Sequence, residues 1–260
     1  MNPTTRLRDA WLDFLSALQF LTRIPMPSRS YKADSLARSV NFFSIVGLFV
    51  GGGAALLHFF LVPHLSRMAA ALIVVSYFVL VTGGLHEDGL ADTADAFGGG
   101  GVNHEKILLI MRDSRIGSYG GLALGFSLLG RVVLIASMPL QVVTYYLLVA
   151  SLLSRWTVLP LSYFLSSARP STTTEVSGLG ARIANHTSTS AVLFGTVISF
   201  SIAAALLKTN AIVPILSATF LTWFTGAYYN RRIGGATGDC FGATIQLVEI
   251  GCYLCGAWAA

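Results

Sequence analysis

Residues 40–63 read "VNFFSIVGLFVGGGAALLHFFLVP". From Val40 to Pro63 there is no Asp, Glu, Lys or Arg. The run exceeds the ~20 helical residues that cross a bilayer's hydrocarbon core. The rest of the chain follows the same pattern. Of its 260 residues, 54% are hydrophobic and 11% charged, against about 25% charged in a soluble domain. Mean hydropathy is +0.68. Six more apolar stretches occupy 68–84, 118–138, 142–166, 190–207, 212–229 and 241–258. The last is short and contains Glu249. The prediction is an all-α polytopic membrane bundle of about six or seven spanning helices, forming a single domain over 1–260. No internal repeat or linker divides it.

Before the first span, Asp9 and Asp13 interrupt what would be the apolar core of a signal peptide, so none is expected. Trp11, Phe14, Leu15, Leu18 and Leu21 recur at helical spacing. They predict an amphipathic helix at the membrane surface, with an ordinary packed helix as the alternative. Cys240, Cys252 and Cys255 read as small core residues.

Basic residues set the orientation. With a cytoplasmic N-terminus, thirteen of the 17 Lys and Arg fall on one side of the membrane and only Arg67 and Lys208 on the other. Arg131 and Arg155 lie within spans. This is a positive-inside pattern. The net charge of +5 therefore needs no nucleic acid to explain it. Eleven of the 12 acids share the cytoplasmic side. The working face is expected there, in loops 85–117 and 230–239.

The first loop begins "LHEDGLADTADAFGGG", residues 85–100. Glu87, Asp88, Asp92 and Asp95 fall within nine residues. As a helix, Asp88, Asp92 and Asp95 fan over only about 60°. Like charges so placed repel, more so when partly desolvated. A bound cation removes the penalty, and all-oxygen donors favour Mg²⁺ or Mn²⁺. Glu87 and Asp239 are the additional candidate ligands. A solvated acidic loop is the plainer reading.

Two further motifs offer anion-binding chemistry. "MRDSRIGSYGG", 111–121, spaces Arg112 and Arg115 around Asp113. Paired guanidinium groups suit phosphate oxygens, and topology anchoring is the plain alternative. "NRRIGGATGDCFGA", 230–243, sets Arg231 and Arg232 before Gly234 and Gly235, with Asp239 opening the last span as an N-cap or ligand. Further along, the intramembrane Glu249 marks a site or a buried pairing with Arg131 or Arg155. His86 adjoins the acids and could move a proton. Acids for a hard cation and arginines for phosphates suit phosphoryl transfer.

"LQFLTRIPMP", "HEDGLADTADAFGGG", "MRDSRIGSYG" and "RRIGGATGDCFGA" together resemble the signatures of the bacterial cobalamin synthase (adenosylcobinamide-GDP ribazoletransferase) family. They occur in the family's order and span nearly the whole chain. Ser44 stands where that family usually has Pro. The resemblance implies a Mg²⁺-dependent enzyme of the bacterial cytoplasmic membrane, joining adenosylcobinamide-GDP to α-ribazole or its 5′-phosphate and releasing GMP. Asp88, Asp92 and Asp95 would then hold Mg²⁺, with Glu87 and Asp239 assisting. Arg112, Arg115, Arg231 and Arg232, with Gly234 and Gly235, would hold the diphosphate and the leaving GMP. Asp95, His86 or Asp113 would take the hydroxyl proton. Membrane lipid is the expected surround, and an oligomer is permitted. Two rival readings are a CDP-alcohol phosphatidyltransferase, whose Asp-Gly-x-x-Ala-Arg core is not matched at Asp88–Thr93, and an ion or metabolite transporter.

Overall fold

A computed structural model describes residues 3–26, 38–169 and 187–258. Arg29, Lys32 and Arg182, counted above on the cytoplasmic side, lie outside these residues. The elements are α1 (Pro3–Leu21), a 3-10 turn (Val40–Phe42), α2 (Phe43–Leu61), α3 (Arg67–Thr82), α4 (Leu85–Gly99) and α5 (His104–Ile110). There follow α6 (Ser118–Ser137), α7 (Leu140–Trp156), α8 (Val158–Phe164), α9 (Thr189–Leu207), a second 3-10 turn (Lys208–Ala211), α10 (Ile212–Ile233) and α11 (Gly238–Trp258). The protein is all-α, as its apolar runs predict. Among the described residues the only β-type pairing is one isolated bridge, Ser167 with Ala236.

Five segments are long and apolar enough to cross a membrane, or six if the bent pair α3–α4 forms one more. One of the five, Thr189–Ile233, has 45 residues. A straight helix of that length would be roughly 67 Å long at 1.5 Å per residue, more than twice the membrane core. It folds back instead at Lys208, whose φ is +54°. Val192 and Thr196 then share a cavity of about 510 Å³ with Trp223 and Asn230. Its two arms are therefore separate passes, as the two sequence runs anticipate.

The turns gather at opposite ends of the bundle. At one end Arg67 donates to the carbonyl of Met138, joining two short turns. At the other end the bridge from Ser167 to Ala236 and the Thr237 hydroxyl on Met111 Sδ tie together the segments around 111, 167 and 237. The loops expected to share one face do pack at one end.

The N-terminal helix is only partly a surface element. Ala17, Leu18 and Leu21 are buried, as is Asp13, which accepts from Arg38 Nε at 2.9 Å. Trp11 remains 58% exposed. The packed-helix alternative holds for its second half.

The acidic stretch is a helix rather than a loop. After α3, Gly83 and Gly84 both adopt left-handed φ of +66° and +73°, where only glycine is unstrained. They turn the chain by 88°, so α4 leaves the line of α3 and packs against α11 and α6. It ends at a Gly100 cap followed by left-handed Gly101.

Candidate active site

Helix α4 presses against α11 at its glycine. A Cβ on Gly89 would sit 2.8 Å from the Asp239 carbonyl oxygen and 3.2 Å from Gly242 Cα. The close approach brings Asp88 and Asp92 beside Asp239 at the start of α11. Asp92 is half-buried, and its carboxyl is pushed up to about 6 by burial first, then by Asp88, Asp239 and Asp95. Burial leads, and the like-charge penalty expected of the acidic face adds to it.

Asp88 and Asp92 open into a cavity of about 720 Å³, within the range of small-molecule sites. Gln19, Arg23, Gly83, Gly84 and Ser114 line it as well. Among the described residues no three Asp, Glu, His or Cys side chains converge tightly enough to cage an ion. The donor set nevertheless suits Mg²⁺, which takes one or two carboxylates and fills its octahedron with water and phosphate oxygens. Asp88 and Asp92, with Asp239 alongside, are the residues that fit it.

Other expected ligands have different tasks. Glu87 turns inward, where Oε1 accepts from Arg131 Nη2 at 2.8 Å and from Gln246 Nε2 at 3.1 Å. Arg131 also faces Glu249 at 3.5 Å, and Glu249 pairs with Arg155. All four charges are buried, and they cancel. The pairing alternative for Glu249 is the one observed. Asp95 is turned toward α6. Its Oδ2 accepts from the Gly117 amide at 2.6 Å and its Oδ1 from Gly120 at 2.8 Å. A Cβ at either glycine would strike this carboxylate. Asp95 thus caps a helix whose own cap, Gly117, has no side chain to do so.

The expected proton acceptors are displaced too. His86 is buried and is not among the residues lining the cavity. Burial first, then Arg155 and Arg131, holds its pKa well below the usual value. Asp113 is gripped by Arg115 at 2.6 Å, and that hydrogen bond holds its carboxyl down at about 2. A group so acidic is a poor base near neutral pH.

Of the four expected phosphate arginines, Arg115 is engaged with Asp113. Arg232 lies over the rings of Phe97 and Tyr228 at 5.2 and 5.3 Å. It donates to the carbonyls of Phe97 and Gly101, neutralising the C-terminus of α4. Arg112 and Arg231 are exposed and do not line the cavity. The glycine pair is explained by chain crossing. Gly234 caps α10 with φ +68°, and a Cβ on Gly235 would lie 2.3 Å from the Ser166 carbonyl oxygen. The N-cap of α11 is Thr237, which accepts from the Cys240 amide at 3.4 Å, rather than Asp239.

Sequence reasoning passed over Arg23 and Arg169. Arg169 donates to Asp239 Oδ2 at 3.2 Å and Arg23 lines the cavity. Arg169 counts only toward topology, and Arg23 lies in a stretch that carries the resemblance without a role of its own. A lone arginine beside a span carries no periodic mark of a ligand.

The family model for cobalamin-5-phosphate synthase matches residues 13–257. Curated relatives named adenosylcobinamide-GDP ribazoletransferase are similar over nearly their whole length. The Shewanella woodyi protein is 35% identical over 95% of this chain and 96% of its own. The Polaromonas sp. protein is 36% identical over 98% of each, and the Sinorhizobium medicae protein 36% over 95% and 96%. No solved structure matches the chain.

Proposed function

The chain belongs to the cobalamin-5-phosphate synthase family, and on that premise we propose that it joins adenosylcobinamide-GDP to α-ribazole or its 5′-phosphate. The ribose 3′-hydroxyl oxygen forms a bond to the phosphorus nearer cobinamide, the bond from that phosphorus to the GMP oxygen breaks, and the hydroxyl proton passes to water. The products are adenosylcobalamin, or its 5′-phosphate, and GMP. Mg²⁺, held by Asp88 and Asp92 with Asp239 alongside, would neutralise charge on the diphosphate. The observation that supports this most directly is the placing of Asp88 and Asp92 together on the wall of one cavity of small-molecule size. Two neighbouring acids on one cavity wall suit a cation and its phosphate.

The protein's own contribution is positional. The Gly89–Gly242 crossing fixes the acids. Asp95 fixes the start of α6, and Arg232 fixes the end of α4. Such fixed geometry carries most of the rate in phosphoryl transfer. The thirteen-to-two distribution of basic residues supports a cytoplasmic-membrane protein with this cavity facing the cytoplasm.

The test is purified protein in detergent with Mg²⁺, adenosylcobinamide-GDP and α-ribazole phosphate. GMP and a new cobamide should appear in equal amounts, and both should be lost with EDTA. A transporter would release no GMP.

A further inference from the structure

We infer that Arg23 binds the diphosphate of the nucleotide-activated substrate in the cavity shared with Asp88 and Asp92. The inference rests on the functional reading above for its substrate, and on geometry for its residue. Arg23 is the one cationic side chain among the described residues lining that cavity. It has no side-chain hydrogen bond or ion pair among the described residues. Arg115, Arg169 and Arg232, by contrast, are already engaged.

Its placement is built rather than incidental. Helix α1 stops at Leu21, where Thr22 Oγ1 donates back to the Leu18 carbonyl at 2.6 Å and accepts from the Ile24 amide at 3.3 Å. The Arg23 amide then donates to the Val81 carbonyl at 2.7 Å. This pins the residue to the end of α3, beside the bend that delivers the acids. Its stem lies across Gly83 so closely that a Cβ there would meet Arg23 Nε at 2.1 Å. The side chain thus runs along the bend, and the residue stays exposed. A planar fork suits two phosphate oxygens. In the same cavity as the acids, it supplies the positive charge needed by a diphosphate that a metal only partly neutralises. A phospholipid headgroup offers the same phosphate chemistry to an arginine near a membrane face, so the experiment separates the two sources.

The probe is Mg·GDP binding to the purified full-length protein in phosphate-free detergent, measured by calorimetry beside turnover. Arg23→Gln should weaken Mg·GDP binding at least about tenfold and raise KM for adenosylcobinamide-GDP similarly. KM for α-ribazole phosphate and the melting temperature should hold. Arg23→Lys keeps the stem over Gly83 and the charge but not the fork, and should recover only part of the loss. Unchanged Mg·GDP affinity in a folded Arg23→Gln protein overturns the inference and leaves the headgroup reading. Full recovery by lysine overturns the fork. If Arg23→Gln does not fold, Arg23→Lys decides by the same binding measurement, with wild-type affinity counting against the inference. Wild-type protein that binds Mg·GDP but makes no cobamide would sink the functional reading and leave the Arg23 site standing; wild-type protein that binds no Mg·GDP would refute the site.

Discussion

Gly89 and Gly242 meet where α4 crosses α11, close enough that a Cβ on Gly89 would reach 3.2 Å from Gly242 Cα and 2.8 Å from the Asp239 carbonyl oxygen. The crossing sets how far Asp88 and Asp92 stand from Asp239. Gly89→Ala must push the helices apart, at a cost of about 1–3 kcal/mol. The expected outcome is a lower melting temperature together with a Mg²⁺ half-saturation raised about tenfold or more. A stability loss with unchanged Mg²⁺ dependence would detach the crossing from the metal.

Asp92 gives a pH signature. Its pKa is raised to about 6, so below that pH the group is protonated and must release its proton to take a cation. The Mg²⁺ half-saturation should be flat above pH 6 and rise up to about tenfold per unit below it. Asp92→Asn should abolish turnover while leaving a folded protein. Near-normal turnover of that variant at saturating Mg²⁺ would remove Asp92 from the site.

Asp95→Asn tests the capping role. Asn keeps one acceptor oxygen where two amides now donate, so a loss of about 1–2 kcal/mol is expected. A Mg²⁺ titration should show little change in half-saturation. A large shift there would return Asp95 to the ligand set.

The buried cluster should respond non-additively. Glu249→Leu leaves Arg155 without its carboxylate, and Arg155→Leu leaves Glu249 held only by Arg131 at 3.5 Å. Each single change should cost about 3–5 kcal/mol. The double variant should be more stable than the sum implies, because no unpaired charge remains. Thermal melts of all four proteins in one detergent check this.

Val102 is 96% exposed at the loop end. With the single substitution Val102→Cys, an impermeant thiol reagent should label inverted vesicles and spare intact cells. Labelling of intact cells would reverse the orientation.

The spans were legible because bilayer crossing demands length and apolarity, and both are written locally, as in residues 40–63. The helical register of Asp88 and Asp92 was legible for the same reason. The tasks of Glu87, Asp95 and Arg232 were not. Each is set by a partner on a distant element: Arg131 for Glu87, the Gly117 and Gly120 amides for Asp95, and the carbonyls closing α4 for Arg232. Composition marks such residues as acidic or basic and says nothing of which neighbour claims them. Arg23 escaped for the converse reason, since the topology bias was already a sufficient account of its charge.

The left-handed pair Gly83–Gly84 also bears on how the chain enters the membrane. Without the turn, residues 67–99 would form one rod of roughly 50 Å, overshooting the bilayer core by about 20 Å. The insertion machinery would then have to slide carboxylates into oil, at about 2.5–3.5 kcal/mol for a single Asp at the centre, or leave the hydrophobic half stranded outside it. Two residues without side chains let the chain change direction where α3 ends, so Asp88, Asp92 and Asp95 need not follow its apolar half through the core.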